Sequence, residues 1–303
     1  MALCPRSVLI TGANRGLGLE FVKQFLSLPK PPEILIATCR DVAKAERSYS
    51  PLDIVDVGDT AALESFRNEV DGLLQSEGLN VLLNNAGIHI RKDLQHTEGD
   101  MLMENFRINT VVPFNISKNT NDADTVYTET KSDLSDKGLN VLINNAAITF
   151  KKQYIGNNSR GNLLESFDVN VVSPILLVQT FLPLLKKAAQ NSSIKDLSCN
   201  KAAIINISSL LGSIESNKTG GMYPYRTSKA ALNMVTKNLS VDLRNDGILV
   251  TSIHPGWVQT DMGGANADLT TSQSVEGCLQ TLGKLNSESS GLMYDFRGKV
   301  LPY

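Results

Sequence analysis

Tyr225 and Lys229 stand four residues apart in the run YRTSK, which leads into the helix-like pattern AALNMVTKNLSVDL. On a helix this spacing puts a phenol and an ammonium one turn apart on the same face. A free tyrosine ionises near pH ~10. A cation beside it favours the phenolate, so the phenol gives up its proton more readily near neutral pH, as a general acid must. Upstream, the apolar run AAIINISS (202–209) reads as a buried strand ending in Ser208 and Ser209.

A second cluster lies near the start. Residues 7–10 (SVLI) read as a short buried strand, followed by TGANRGLG (Thr11 to Gly18) and the amphipathic pattern LEFVKQFLSL. A strand, a glycine turn and a helix form the first half of a βαβ nucleotide-binding unit. Gly12 takes the turn, Gly16 lets backbone approach a diphosphate, and Gly18 allows close helix packing. The helix start offers unpaired N–H groups to the phosphates. The spacing is GxxxGxG.

The next strand pattern, EILIATCR (33–40), ends where a residue reading the adenosine ribose belongs. Arg40 stands there, with Asp41 beside it, and Arg15 sits inside the glycine loop. Two guanidiniums suit a 2′-phosphate, which points to NADPH/NADP+ rather than NAD. A third strand pattern, PLDIVDV (51–57), brings Asp56 and Val57 toward the adenine edge.

TGxxxGxG, NNAG, N-x-S-S, YxxxK and HPGWVQTDM occur in that order along the chain. This succession resembles the short-chain dehydrogenase/reductase family over nearly the whole length. GMYPYRTSKAALN, HPGWVQTDMGG and the closing YDFRGKVLPY are similar to the insect sniffer-type carbonyl reductases. The resemblance implies an α/β fold: one doubly wound (Rossmann) domain, 1–303, with about seven mostly parallel strands and NADPH across their carboxyl ends. It implies reduction of aldehydes and ketones to alcohols. Tyr225 would then protonate the carbonyl oxygen and Ser209, with Ser208 as the other candidate, would stabilise that oxygen. Lys229 would hold the nicotinamide ribose. The cofactor would meet Gly12, Asn14, Arg15, Gly16, Leu17, Gly18, Arg40, Asp56, Val57, Asn84, Ala86, Gly87, Tyr225 and Lys229. Pro255, Gly256, Val258 and Thr260 would line its nicotinamide side.

One feature departs from the family pattern. GLNVLLNNAGIHI (78–90) returns as GLNVLINNAAITF (138–150), with nine of thirteen residues matching. LMENFRINTVVPF (102–114) returns as LLESFDVNVVSPI (163–175), with six of thirteen matching. One βα unit has been duplicated, as in a fusion of two neighbouring paralogues. Each copy offers an asparagine for the family's proton relay, Asn109 or Asn170. Continuity with the apolar helix VVSPILLVQTFLPLLKKAAQ favours Asn170. The first copy keeps the glycine of NNAG, whereas the second has Ala147 in that place. The surplus unit, about 88–137, is expected outside the core sheet as an excursion. A distorted relay would leave a cofactor-binding scaffold without turnover, the competing reading.

The bulk composition is that of a soluble globular chain. With 42% apolar and 20% charged residues and a net charge of −2, the chain has no basic footprint for nucleic acid or an anionic membrane. The start has no signal-peptide pattern, and no apolar stretch approaches the roughly 20 residues of a membrane span. Four scattered cysteines and three isolated histidines suggest reduced thiols, a cytoplasmic location and no metal site. A small-molecule carbonyl substrate and a possible homodimer complete the expectations.

Overall fold

The computed structural model describes residues 3–39, 70, 72–74, 78–86, 138–150 and 154–303. Arg40, Asp56, Val57, Gly87, Asn109 and the 88–137 segment lie outside those residues, as does the strand expected at 51–57.

Among the described residues, eight strands form one sheet in the order β2-β1-β3-β4-β5-β6-β7-β8. They are β1 (Ser7–Ile10), β2 (Ile34–Ala37), β3 (Leu79–Asn84), β4 (Leu139–Asn144), β5 (Ala203–Ile207), β6 (Leu249–His254), β7 (Met293–Asp295) and β8 (Val300–Leu301). Every pair is parallel except β7 with β8. The interior strands are apolar without alternation because helices cover both faces. The order reverses at β1, with β2 on one side and β3 on the other, and a wound sheet opens its ligand crevice at such a switch point.

Both copies of the repeated strand lie in the sheet, which has eight strands among the described residues where about seven were expected. The two copies, β3 and β4, are neighbours at the sheet centre, paired in register so that Leu79, Val81, Leu82, Leu83 and Asn84 face Leu139, Val141, Leu142, Ile143 and Asn144. The reason is burial. Val81, Leu83, Val141, Leu142 and Ile143 are fully buried, and Leu79, Leu82 and Leu139 nearly so. Each such side chain gains about 1.5–3 kcal/mol on leaving water, which an exposed edge would forfeit. Asparagines continue the match, Asn80 Nδ2 donating to Asn140 Oδ1 at 2.9 Å and Asn145 Nδ2 to Asn85 Oδ1 at 2.5 Å.

Five helices position the site: α1 (Gly16–Leu26), α2 (Arg160–Phe167), α3 (Ser173–Asn191), α4 (Tyr223–Asp242) and α5 (Thr271–Leu282). A π-helical turn, Asp168–Val172, joins α2 to α3. The resulting run Arg160–Asn191 is long and apolar enough to cross a membrane. Its Leu177, Val178, Phe181, Leu184 and Leu185 are instead buried in the core that also holds Leu139, Leu142 and Ile204. Helices α1 and α5 pack against each other, with Val22 and Phe25 of α1 sharing a core with Val275 and Cys278 of α5.

Candidate active site

The glycine loop follows β1 and enters α1. Gly12 (φ +64°) cannot carry a side chain, since a Cβ there would stand 2.8 Å from Ala86 Cα. Gly16 (φ +57°) is different: a Cβ would meet only the Thr260 methyl, at 3.8 Å. Gly12 is therefore fixed by packing against the chain, whereas Gly16 faces space. The N-terminus of α1 has no side-chain cap at Arg15, leaving its first N–H groups for an anion. An open cradle of this kind fits the diphosphate of a dinucleotide.

The loop is held by the first repeat. Thr11 Oγ1 accepts from Asn85 N and Ala86 N, each at 2.9 Å, and Asn85 Nδ2 donates to Thr11 O at 3.0 Å and Gly12 O at 2.8 Å. Thr11 and Asn85 are positioning residues that motif reading overlooked. The exposed Arg15 pairs with Asp261. Asp261 also escaped notice, because only the fold brings it within reach of residue 15.

The second repeat is tied to the other side. Asn144 Nδ2 donates to Asn206 Oδ1 at 2.9 Å. Asn170, fully buried in the π-helical turn, accepts from Ile148 N at 2.9 Å through Oδ1. Its Nδ2 donates to Ile148 O at 3.1 Å and to Ser228 Oγ at 2.9 Å. A π turn inserts one residue into a helix, and such insertions cluster at functional sites. Here it aims Asn170 at both the loop after β4 and the helix carrying Tyr225. Ser228, next to Lys229, gives no sign of this contact in the sequence.

Tyr225 lies in the first turn of α4. That helix follows Met222, whose φ of +48° makes it the non-glycine residue with left-handed backbone among the described residues. Strain of this kind persists only where surrounding structure enforces it. Tyr225 is half-buried, with Ser209 near enough to act on its phenol. The two serines have separate partners: Ser208 Oγ donates to Asn233 Oδ1 at 2.6 Å, while Ser209 Oγ accepts from Leu211 N at 3.1 Å and is the serine that acts on Tyr225. Lys229 is 2% exposed, its Nζ donating to Ile207 O at 2.8 Å and lying 5.8 Å from the centre of the Tyr225 ring.

Burial dominates the electrostatics of the pair. Burial pushes the Tyr225 phenol above its usual pKa, and the Ser209 hydrogen bond only partly offsets this. Burial also lowers Lys229 to about 7. The lysine has lost its own hydration, so its charge is weakened where the sequence spacing suggested a full cation. Ser209 is the group that eases ionisation of Tyr225.

Beyond β6, Gly256 (φ +87°) turns the chain, and Val258 bridges to Leu269. Ser274 Oγ of α5 donates to Pro255 O at 2.6 Å, and Gly263 N donates to Thr260 Oγ1 at 3.2 Å. This segment reaches across to the glycine loop through Thr260 and Asp261. The structure thus brings Ser209, Tyr225, Lys229 and Asn170 together on one side. Gly12, Arg15, Gly16, Gly18, Asn84 and Ala86 gather on the other, with Asn14 and Leu17 in the same loop.

Comparison with known proteins agrees with this architecture. The pattern described as short chain dehydrogenase matches residues 6–123 and again 111–270, once over each copy of the repeat. Carbonyl reductase Sniffer of D. melanogaster has a similar structure, with a TM-score of 0.70, 35% identity and coverage of 98% of this chain and 99% of that one. An NADPH-bound carbonyl reductase from chicken fatty liver gives a TM-score of 0.68 at 36% identity, covering 99% of this chain and 100% of the other. The C-signal protein of Myxococcus xanthus is 36% identical over 165 residues, 54% of this chain and 93% of that protein.

Proposed function

Because the chain belongs to the short-chain dehydrogenase family, we propose that it reduces aldehyde and ketone carbonyls to alcohols with NADPH, Tyr225 acting as general acid. The observation that carries the reading is Tyr225 with buried Lys229 5.8 Å from its ring and Ser209 beside it, on a sheet whose first crossover presents an uncapped glycine cradle. Gly12, Gly16, Gly18 and the α1 N–H groups would hold the diphosphate, with Arg15 at the 2′-phosphate. When bound, NADPH supplies the hydride that reaches the carbonyl carbon and leaves as NADP+.

The protein supplies position and the proton. Ser209 Oγ donates to the carbonyl oxygen and stabilises charge developing there. Tyr225 Oη gives its proton to the same oxygen, so one hydride and one proton convert C=O to CH–OH. The raised phenol pKa keeps that proton in place until the oxygen becomes basic. Asn170 acts through its partners, fixing the loop after β4 against the helix that carries Tyr225.

Exposed apolar side chains belong to segments adjoining these groups: Ile214 after Ser209, Tyr223 before Tyr225, and Trp257 and Met262 beyond β6. They suit small to medium lipophilic substrates. Met234 and Val241, exposed on one face of α4, would suit a second copy of the chain. The four free thiols fit a reducing compartment such as the cytoplasm.

The test follows loss of reduced-nicotinamide absorbance with an aromatic aldehyde or a cyclic diketone. Tyr225→Phe should lower turnover by about 10²- to 10⁴-fold, yet bind NADPH as the parent does. Turnover preserved in that variant would overturn the assignment of the acid.

A further inference from the structure

This inference rests on the reading just given, that the chain takes NADPH. A dinucleotide lies across the carboxyl ends of a wound sheet. One end is fixed by the glycine loop, and the other must arrive beside the proton donor. In this chain the two ends are served by different copies of the repeat. The glycine loop's hydrogen bonds run to Asn85 and Ala86 of the first copy. The catalytic side is bonded to Asn144 and Ile148 of the second. A single strand making both sets of contacts would join β1 directly to β5, whereas here two strands intervene.

The extra strand adds one interstrand spacing, about 4.8 Å, to the span between the two ends. Reacting atoms must come within about 3–3.5 Å, and an error of 1 Å can cost about 10²-fold. The added spacing exceeds that tolerance several times over. The arm after β6 bridges the gap, since Thr260 and Asp261 reach Gly16 and Arg15. That arm is a chain segment with its own reach. Tyr225, Lys229 and Asn170 are mounted on helical elements packed on one another and, through α4, on β6, and they cannot follow it.

We propose that the duplicated strand divides the cofactor cleft into two half-sites that act separately. One, built by the glycine loop and β3, takes the adenosine bisphosphate portion of NADPH. The other, built on β4, β5 and β6, holds the carbonyl substrate and the proton donor. The nicotinamide end contributes little to affinity and seldom reaches the reacting position.

The test titrates the full chain with NADPH and with adenosine 2′,5′-bisphosphate, read by calorimetry and by the fluorescence of Trp257, the single tryptophan. It repeats both in a chain lacking residues 79–138, one repeat at the 60-residue offset that separates Asn80 from Asn140. In the full chain the two ligands should bind within a few fold of each other. In the shortened chain NADPH should bind tighter than the bisphosphate by about tenfold or more, and single-turnover hydride transfer should rise by about 10²-fold. Equal ligand ratios and equal transfer rates in the two chains would overturn the proposal, because the sheet would then have absorbed the extra strand. Should the shortened chain fail to fold, the full chain decides alone: a preference for NADPH of about tenfold or more overturns the proposal, and near-equality supports it. If the full chain bound neither ligand, the NADPH reading itself would fall, and the half-sites with it.

Discussion

Two strands of nearly one sequence, β3 and β4, lie side by side and do different work. Each buries the same apolar positions and each ends in Asn-Asn-Ala. Their surroundings differ, and the surroundings decide the role. Beside β1, the first copy finds Thr11 and the glycine turn, so its Asn84 Oδ1 receives a hydrogen bond from Thr11 Oγ1 at 3.4 Å. Beside β5, the second copy finds Asn206, which takes the Asn144 amide, while Asn144 Oδ1 is buried with no partner among the described residues. A buried acceptor without a donor costs about 1–3 kcal/mol. The duplicate thus carries a local defect that its parent position lacks, offset by the apolar side chains it adds to the core. A motif states which contacts a segment can make, and the neighbouring strands determine which of them it does make.

The largest effect should come from breaking this pair at its core. Leu82 and Leu142 face each other across the two strands, 1% and 0% exposed. Leu→Ala at either position should cost about 2–5 kcal/mol of stability, measured as the urea midpoint. A silent Leu82→Ala would mean that β3 is a passenger beside the working strand.

The next contrast separates the roles. Asn170→Ala leaves the Ile148 amide, the Ile148 carbonyl and Ser228 without their buried partner, so turnover should fall by about 10²-fold with NADPH affinity little changed. Asn85→Ala should do the reverse, weakening NADPH binding through the glycine loop while the rate at saturation holds. If both variants moved the same constant, the division of labour between the copies would be lost.

Much of this was legible in the sequence. The strand, glycine turn and helix at the start, the Tyr225–Lys229 spacing and the strand that ends in the two serines all state their geometry locally. The preference for Ser209 over Ser208 came from the motif, but the contact that occupies Ser208 did not: Asn233 Oδ1 of α4 accepts from its hydroxyl. Nor did the place of the duplicate. An interior strand and a surplus strand carry the same apolar pattern, and only the pairing of identical residues, each matching its own counterpart, reveals that a sheet can admit both. Spacing likewise gives the proximity of Lys229 to Tyr225 and not its hydration, whose loss lowers the lysine to about 7.

Protonation of Lys229 sharpens the catalytic half by a smaller effect. The folded chain releases this proton near pH 7 and the unfolded chain near 10.5. Between those values the unfolded state binds more protons, so stability from this group rises with pH. Cys199 and Cys278, pushed up from 9.0 to about 12 by burial, act in the opposite direction above pH 9. The rise should therefore show between pH 7 and 9, and Lys229→Met should flatten it in urea unfolding. An equal slope in the variant would place the titrating group elsewhere.

The smallest expected effect lies in the bridge between the halves. The Arg15–Asp261 pair is exposed on both sides, with side-chain exposures of 65% and 75%. An ion pair in such a setting is worth about 0–1 kcal/mol, so Asp261→Asn should barely change stability. Its effect should appear in binding. The Asp261 carboxylate competes with a 2′-phosphate for the same guanidinium, and removing it should tighten NADPH severalfold while leaving NADH unchanged. The gain should shrink as salt rises, because the competition takes place in water and is screened there. Tightening of both cofactors alike would show that Asp261 acts on the diphosphate or on the arm itself, and Arg15 would lose its assignment as the group that reads the 2′-phosphate.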